Sequence, residues 1–365
     1  MKPLLSCLLL LCSLACDPAR AALAVSLVPQ QPLIERGRNE QRLNFDLLFV
    51  NAEDKALDLQ SLEVTLFDPQ GRFIAQHRLD GNGDSATKSI LTIPNRVLPA
   101  KGRLVVFNPF TRFEHDMWLG DLRYEAVFNG GKDQPEQRVS VRVSPRPFAA
   151  RTRLRLPVDG ETFVHDGHDL TAHHRRLDIT GAMTTHFGIT GNFMRYAHDF
   201  TIADAQGKLY RNEGARPEDW FGYGAPILAT GDGVVTGMHD GMPDNRKGAP
   251  PPFDQAAIMK NLKLFLGNYV VIDHGNQEFS VFAHLQNGSV KVKPGQHVKR
   301  GERIAGMGMS GDAFLVHLHY QLQSGPDFEE GLPAYFENVR VRNGHGWSEP
   351  TTMPVDSGDV VMAVQ

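Results

Sequence analysis

The stretch VHLHYQL, residues 316–322, decides how the C-terminal half of the chain reads. Val316, Leu318, Tyr320 and Leu322 alternate with His317, His319 and Gln321. Successive side chains on a strand point to opposite faces, so strict alternation predicts a half-buried strand. Two imidazoles and an amide then share one face. Two such imidazoles can share a metal ion, or one can ligate while the other moves protons. They can equally be polar residues on a solvated face, so the rest of the chain has to decide.

Working outward, the 365 residues suffice for two or three domains and a substantial core. A net charge of −4 gives no reason to expect nucleic acid or an anionic membrane surface as partner. The N-terminus opens MKPLLSCLLLLCSLAC, one Lys and an apolar run, followed by DPARAALA with small residues. This is the layout of a secretory signal over 1–24, with cleavage expected after Ala21 or Ala24. Lipoprotein processing at Cys16 is the rival, with Ser13 standing where Leu would be usual. The apolar run is too short to span a membrane comfortably, and no other stretch is a transmembrane candidate. The chain is therefore expected to be exported, to the periplasm or the medium. All three cysteines, Cys7, Cys12 and Cys16, lie in the signal. A mature chain without them has no disulfide and no thiolate, so any metal site must use His, Asp or Glu.

Residues 25–145 read as short strands separated by Asp-Pro, Asn-Gly and Gly-Gly turns, among them RLNFDLLFVNA, GRLVVFNPF and QRVSVRVSP. Regular short strands without helical periodicity predict a β-sandwich, immunoglobulin-like in kind. Residues 146–194 read as a linker followed by a His-rich segment, 195–345 as a second β-rich domain, and 346–365 as an irregular tail. Residues 238–265 interrupt the second domain as a loop and a short helix, either a lid or substrate wall or a surface decoration. The fold class expected is all-β throughout.

The blocks of the second domain have a specific order. RYAHDF (195–200) precedes YGAPILATGDGVV (223–235), GNYVVIDHGNQEFSVFAHL (267–285), GSVKVKPGQHVKRGERIAGMGMSGD (288–312) and HLHYQL (317–322). This succession resembles the lysostaphin-type (LytM-like) metallopeptidases, zinc endopeptidases that cut peptide cross-links in bacterial cell walls. The resemblance covers about Asp199 to Gln323. It implies an antiparallel β-sheet domain of the duplicated-hybrid-motif kind with one Zn2+ per chain. Asp199 and His319 match metal ligands. His284 and His317 match the two non-ligand histidines that handle the water and stabilise the oxyanion.

The chain departs from the family at its first ligand. The usual pattern is H-x-x-x-D, and here Arg195 stands four before Asp199. A guanidinium stays protonated and offers no lone pair to a metal. Pointing inward, it would be expected to pair with Asp199 and repel the ion. His198 should face away from Asp199, because neighbouring strand residues do. Other donors lie upstream: His165, His168, His173, His174 and His186 fall within 22 residues. His174 and His186 are the alternative candidates for the third ligand.

The resemblance implies an exported zinc endopeptidase acting on peptidoglycan or another extended peptide. The N-terminal sandwich would position it or bind a protein partner. Arg195 motivates a different reading, an inactive member that binds the wall or activates another wall enzyme.

Overall fold

The structure is a computed structural model describing residues 22–82, 89–131 and 135–364. The three cysteines and most of the expected signal fall outside those residues. Strand content dominates, as expected, and helices are limited to single turns among the described residues. No helix there is long and apolar enough to cross a membrane.

The N-terminal half is layered. Leu23–Val28, Asp46–Asn51 and Arg103–Phe107 form one antiparallel sheet. Gln137–Val143, Leu122–Asn129, Leu57–Phe67 and Phe73–Leu79 form another. A third, smaller sheet carries Leu33–Arg36, Glu40–Leu43 and Arg112–Glu114. Their inner faces meet in one core that includes Phe45, Leu47, Phe49, Leu62, Val64 and Phe128. Fully burying a side chain of this size contributes about 1.5–3 kcal/mol. The long strand Leu57–Phe67 shows how the face is kept. Leu57 and Leu59 are buried at odd positions, Leu62, Val64 and Leu66 at even ones. The register against Leu122–Asn129 shifts between Val127 and Phe128, leaving Gln60 as the extra residue. One bulged residue inverts the parity of everything after it.

The C-terminal half is built on a 12-stranded sheet. Its centre runs Gly233–His239, Asn268–Asp273, Phe279–Leu285, Leu318–Gln323 and His198–Thr201, each antiparallel to the next. Its core gathers Phe200, Ile272, Phe282, Leu318, Tyr320 and Phe336. Two segments expected to be irregular belong to this sheet. Thr162–Asp166, inside the expected linker, pairs with His198–Thr201, and Val360–Ala363, in the expected tail, pairs with Thr162–Asp166 and Phe336–Asn343. Strands of four or five residues at a sheet's far side are too short to show a period, which is why the sequence hid them.

The strand Leu318–Gln323 is buried at every position, not half-buried. Alternation correctly placed His319 and Gln321 on one face, but that face is covered. Residues 177–194 and 253–265 pack over it through Leu177, Met183, Phe193, Leu262 and Phe265. The end of the segment 238–265, from Phe253 on, therefore walls the site, while its first two residues close the strand Gly233–His239.

The two halves are pinned by buried charge. Arg42 bonds Asp356, His168 meets Glu35 at 2.8 Å, and Arg195 donates to Asp46 at 2.7 Å.

Candidate metal centre

Asp199 and His319 are direct cross-strand partners. The ladder between His198–Thr201 and Leu318–Gln323 thus fixes their spacing, and His319 Nδ1 lies 3.2 Å from Asp199 Oδ1. His198, next in sequence, points to the opposite face. Its Nε2–H donates to the Val355 carbonyl, and its ring stacks on Phe200.

Of the two upstream candidates, the structure brings one beside Asp199. His174 sits on a single turn, His174–Arg176, with its ring wholly buried. Its Nε2 lies 3.3 Å from Asp199 Oδ1. Its ring packs edge-on to that of His319, centroids 4.9 Å apart. The other candidate, His186, lies elsewhere. It is exposed at the end of the short helix Ala182–His186 and bonds the Met259 carbonyl at 2.9 Å. The neighbouring His173 pairs with Asp166 at 2.7 Å. Asp166, His173, His174 and Asp199 together form a cluster able to hold a metal.

Arg195 does not pair with Asp199, the outcome expected only had it pointed into the site. It is fully buried and turned the other way, bonded to Asp46 and Glu330. The expected repulsion between a guanidinium and a metal is therefore absent from the site.

Which ring atoms carry protons follows from the partners. Gln323 uses its side-chain NH2 on the carbonyls of Gly325 and Asp327. Its Oε1 therefore accepts from the Gln321 NH2, and Gln321 Oε1 accepts from His319 Nε2–H at 2.9 Å. His319 Nδ1 is left as a bare lone pair facing Asp199. His174 Nδ1–H donates to the Gly167 carbonyl at 2.8 Å, so Nε2 is bare too. That buried nitrogen has no hydrogen-bond partner. Two imidazole nitrogens and a carboxylate oxygen thus face one another in a buried site, a donor set suited to a cation. Tetrahedral zinc with bonds near 2.0–2.1 Å sets its ligand atoms about 3.3 Å apart, close to the separations of His174 Nε2 and His319 Nδ1 from Asp199 Oδ1. The donor set fits the metal.

His284 and His317 complete the floor. By alternation His284 should face away from His319, because Ala283 is the residue opposite it. A register shift between Asn268 and Val270 and a positive φ of 61° at His284 turn it back. Bulges and left-handed residues commonly re-aim side chains at sites of this kind. Its ring lies 4.7 Å from that of His317, centroid to centroid. Its Nδ1–H donates to the Ser310 carbonyl at 2.8 Å. Gly267 and Gly311 let that carbonyl in. Both have positive φ, and a Cβ on Gly311 would come within 2.4 Å of the Gly267 nitrogen. His317 Nδ1–H donates to the Leu315 carbonyl at 2.9 Å, with Nε2 3.5 Å from Asp199 Oδ1.

Burial holds the imidazoles of His174 and His317 below their ordinary range and that of His284 well below it. Burial alone would push the Asp199 carboxyl up, but the imidazoles of His174, His317 and His319 gathered around it hold it well below its ordinary range. Neutral imidazoles and an ionised carboxylate are the states a metal needs. Above the floor is a cavity of about 240 Å³ walled by Leu177, Met183, Phe193, Leu262, Phe265 and Phe328. Burial raises the half-buried carboxyl of Asp312 at its edge.

Gln323, Asp166 and the wall residues of 177–194 were not singled out from the sequence, and Gln321 was placed on the histidine face without a role. Gln321 was visible in the alternation two residues after His319. The others carry no local signal, since their roles depend on chain crossings.

The antiparallel sheet thus carries a cluster of His and Asp side chains at its floor. Residues 219–329 match the model of Peptidase family M23 and form an M23 domain. The match begins after Asp199, so His284, His317 and His319 lie inside it, and His174 and Asp199 do not. Peptidoglycan DD-endopeptidase ShyA of Vibrio cholerae is 35% identical over 99 residues, 27% of this chain and 17% of that protein. An uncharacterized metalloprotease of Haemophilus influenzae is 46% identical over 55 residues, 15% of this chain and 11% of that one. The chain thus spans less than a fifth of the length of these relatives. The catalytic domain of lysostaphin from Staphylococcus simulans is 18% identical, covering 48% of this chain and 88% of that one, with a TM-score of 0.25.

Proposed function

We propose that this chain is an exported zinc metallo-endopeptidase that hydrolyses peptide cross-links of peptidoglycan. The observation that carries it is the convergence of bare lone pairs at His174 Nε2, Asp199 Oδ1 and His319 Nδ1. Those residues would hold one zinc, and His186 is set aside. A zinc with three protein ligands keeps one position open, lowers the pKa of water there to roughly 7 and polarises a carbonyl.

The protein's own groups do the rest. His284 and His317 each present a bare Nε2, because each Nδ1–H is given to a backbone carbonyl. Both rings are neutral at pH 7, so either can accept a proton from the attacking water. The ring that takes it becomes a donor at the same atom and can stabilise the oxyanion or return the proton to the leaving amine. The apolar walls exclude bulk water and favour an extended chain lying along the sheet. The signal expected at 1–24 supports export, and the M23 relatives named as peptidoglycan endopeptidases support the substrate class. An immunoglobulin-like N-terminal sandwich would hold the catalytic half at the wall.

The reading as an inactive wall-binding or activating protein drew its force from Arg195. With that guanidinium engaged by Asp46 and Glu330, this motive is gone. Elemental analysis of the purified chain tests the proposal, together with product analysis on purified cross-linked muropeptides. One zinc per chain and cleaved cross-links are expected, both lost in His319→Ala. Hydrolysis by His319→Ala at the parent rate would refute the assignment.

A further inference from the structure

His174 is the one proposed ligand without a strand to hold it. Its turn has no capping side chain, and three residues of single-turn helix fix nothing by themselves. What holds it lies on either side. Arg175, the next residue, is fully buried and bonds Asp46 and the Phe45 carbonyl. The ring of His174 is oriented by the Gly167 carbonyl. The residue after Gly167 is His168, whose Nε2 meets the buried Glu35 at 2.8 Å. Asp46 and Glu35 both belong to the N-terminal sheets, in Asp46–Asn51 and Leu33–Arg36. The other oxygen of Asp46 accepts from Arg195, four residues before Asp199.

We propose that the N-terminal sheets are part of the metal centre, with Asp46 and Glu35 acting as positioning residues for His174. The proposal rests on His174 being a ligand. One carboxylate clamps the residue after His174 and the segment leading to Asp199. A second fixes the turn whose carbonyl sets the tautomer and tilt of the His174 ring. Outer groups of this kind tune metal affinity without touching the metal. Arg195 then has a use: at the place where the family carries its first ligand, this chain carries a tie to its other half. Removing the charge of Asp46 leaves two buried guanidinia short of a partner, and the Arg175 turn, with His174 on it, must shift to relieve them.

The test is zinc affinity of the full chain, by competition with a chromogenic chelator, and the visible spectrum of the cobalt-loaded protein. Parent, His174→Ala, Asp46→Asn, Glu35→Ala and Arg138→Ala are compared, the last removing an exposed pair with Glu125 in the same half. Asp46→Asn and Glu35→Ala should each bind zinc about 10–100-fold more weakly and shift the cobalt bands, with near-UV circular dichroism unchanged. Arg138→Ala should match the parent. Folded Asp46→Asn and Glu35→Ala proteins with parental affinity and cobalt spectrum overturn the proposal. A parent that takes up no zinc overturns the metal centre itself. Should both variants unfold, hydrogen exchange of the parent decides. Zinc must slow exchange in 164–176 and in Asp46–Asn51 together, and protection confined to 164–176 overturns the proposal.

Discussion

Asp199 and His319 on the one hand, and His174 on the other, meet at one point but are held there by different physics. The first two face each other across a ladder of backbone hydrogen bonds. Their spacing is a property of the sheet, and local alternation suffices to predict it. His174 sits on a loop and owes its position to Arg175, Gly167 and two carboxylates more than 125 residues away in sequence. A site built this way has a rigid part and a tied-down part. The rigid part should tolerate change around it, and the tied-down part should not.

The largest effects should not distinguish the two parts. His319→Ala and His174→Ala each remove a donor from a three-donor set. Each should weaken zinc binding by more than the roughly 100-fold that loss of an outer-shell partner can cost, leaving metal-free protein after dialysis. Elemental analysis reads this directly. Zinc retained in His174→Ala alone would mean the sheet-borne pair recruits another donor, and the contrast between the parts would collapse.

His284→Ala and His317→Ala sharpen the contrast within the sheet. Neither ring is among the three proposed ligands, although His317 Nε2 lies 3.5 Å from Asp199 Oδ1, so zinc should stay at one per chain. Hydrolysis of cross-linked muropeptides should fall by about 10²–10⁴-fold. Loss of zinc with loss of turnover would make one of them a ligand.

How far the sequence could be read follows the same division. Alternation in VHLHYQL placed His319 and Gln321 on one face, and the order of blocks placed Asp199 and His284 beside them. The sequence could not show that this face is buried, because its cover comes from Leu177, Met183, Leu262 and Phe265, residues with no shared period. Nor could it choose between His174 and His186, since Asp46 and Glu35 lie on strands that read only as sandwich. Nor could it show where Arg195 points: a buried cation near a metal site is hostile unless a distant carboxylate claims it, as Asp46 does here. Re-aiming of His284 by a bulge was likewise invisible, although its place at a strand end pointed the right way.

Gln321 probes the rigid part at one remove. It holds the His319 tautomer by accepting from Nε2–H. Gln321→Leu removes that acceptor and should weaken zinc binding by roughly 10-fold, the lower end for such partners. Gln321→Glu keeps an acceptor and should stay near the parent. Equal affinity in the Leu variant would show that the strand alone orients the ring.

Protonation tests both parts together. The imidazoles of His174, His198, His274, His284 and His317 are held below 6.5, chiefly by burial. Below that pH the unfolded chain takes up protons that the folded chain refuses. Stability of the metal-free protein should therefore decline as pH falls from about 7 towards 5. His173, raised by its bond to Asp166, works in the opposite direction but is one against five. Asp199, held well below 3.8, adds its loss only in stronger acid. Urea unfolding at steps between pH 8 and pH 5 reads the slope. A flat profile would mean these rings are wet in solution.

The smallest expected effect is the one that isolates His174. His186→Ala removes an exposed ring whose single recorded bond is to the Met259 carbonyl. That bond ties the helix Ala182–His186 to the wall segment near Gln255–Ile258, and its loss should cost stability about 0.5–1.5 kcal/mol. Zinc affinity should not move, because neither ring nitrogen reaches the Asp199 carboxylate. Chelator competition on His186→Ala beside His174→Ala separates the two. A drop in affinity for His186→Ala approaching that of His174→Ala would mean the loop can deliver either ring, and that the tied-down part of the site has more than one resting place.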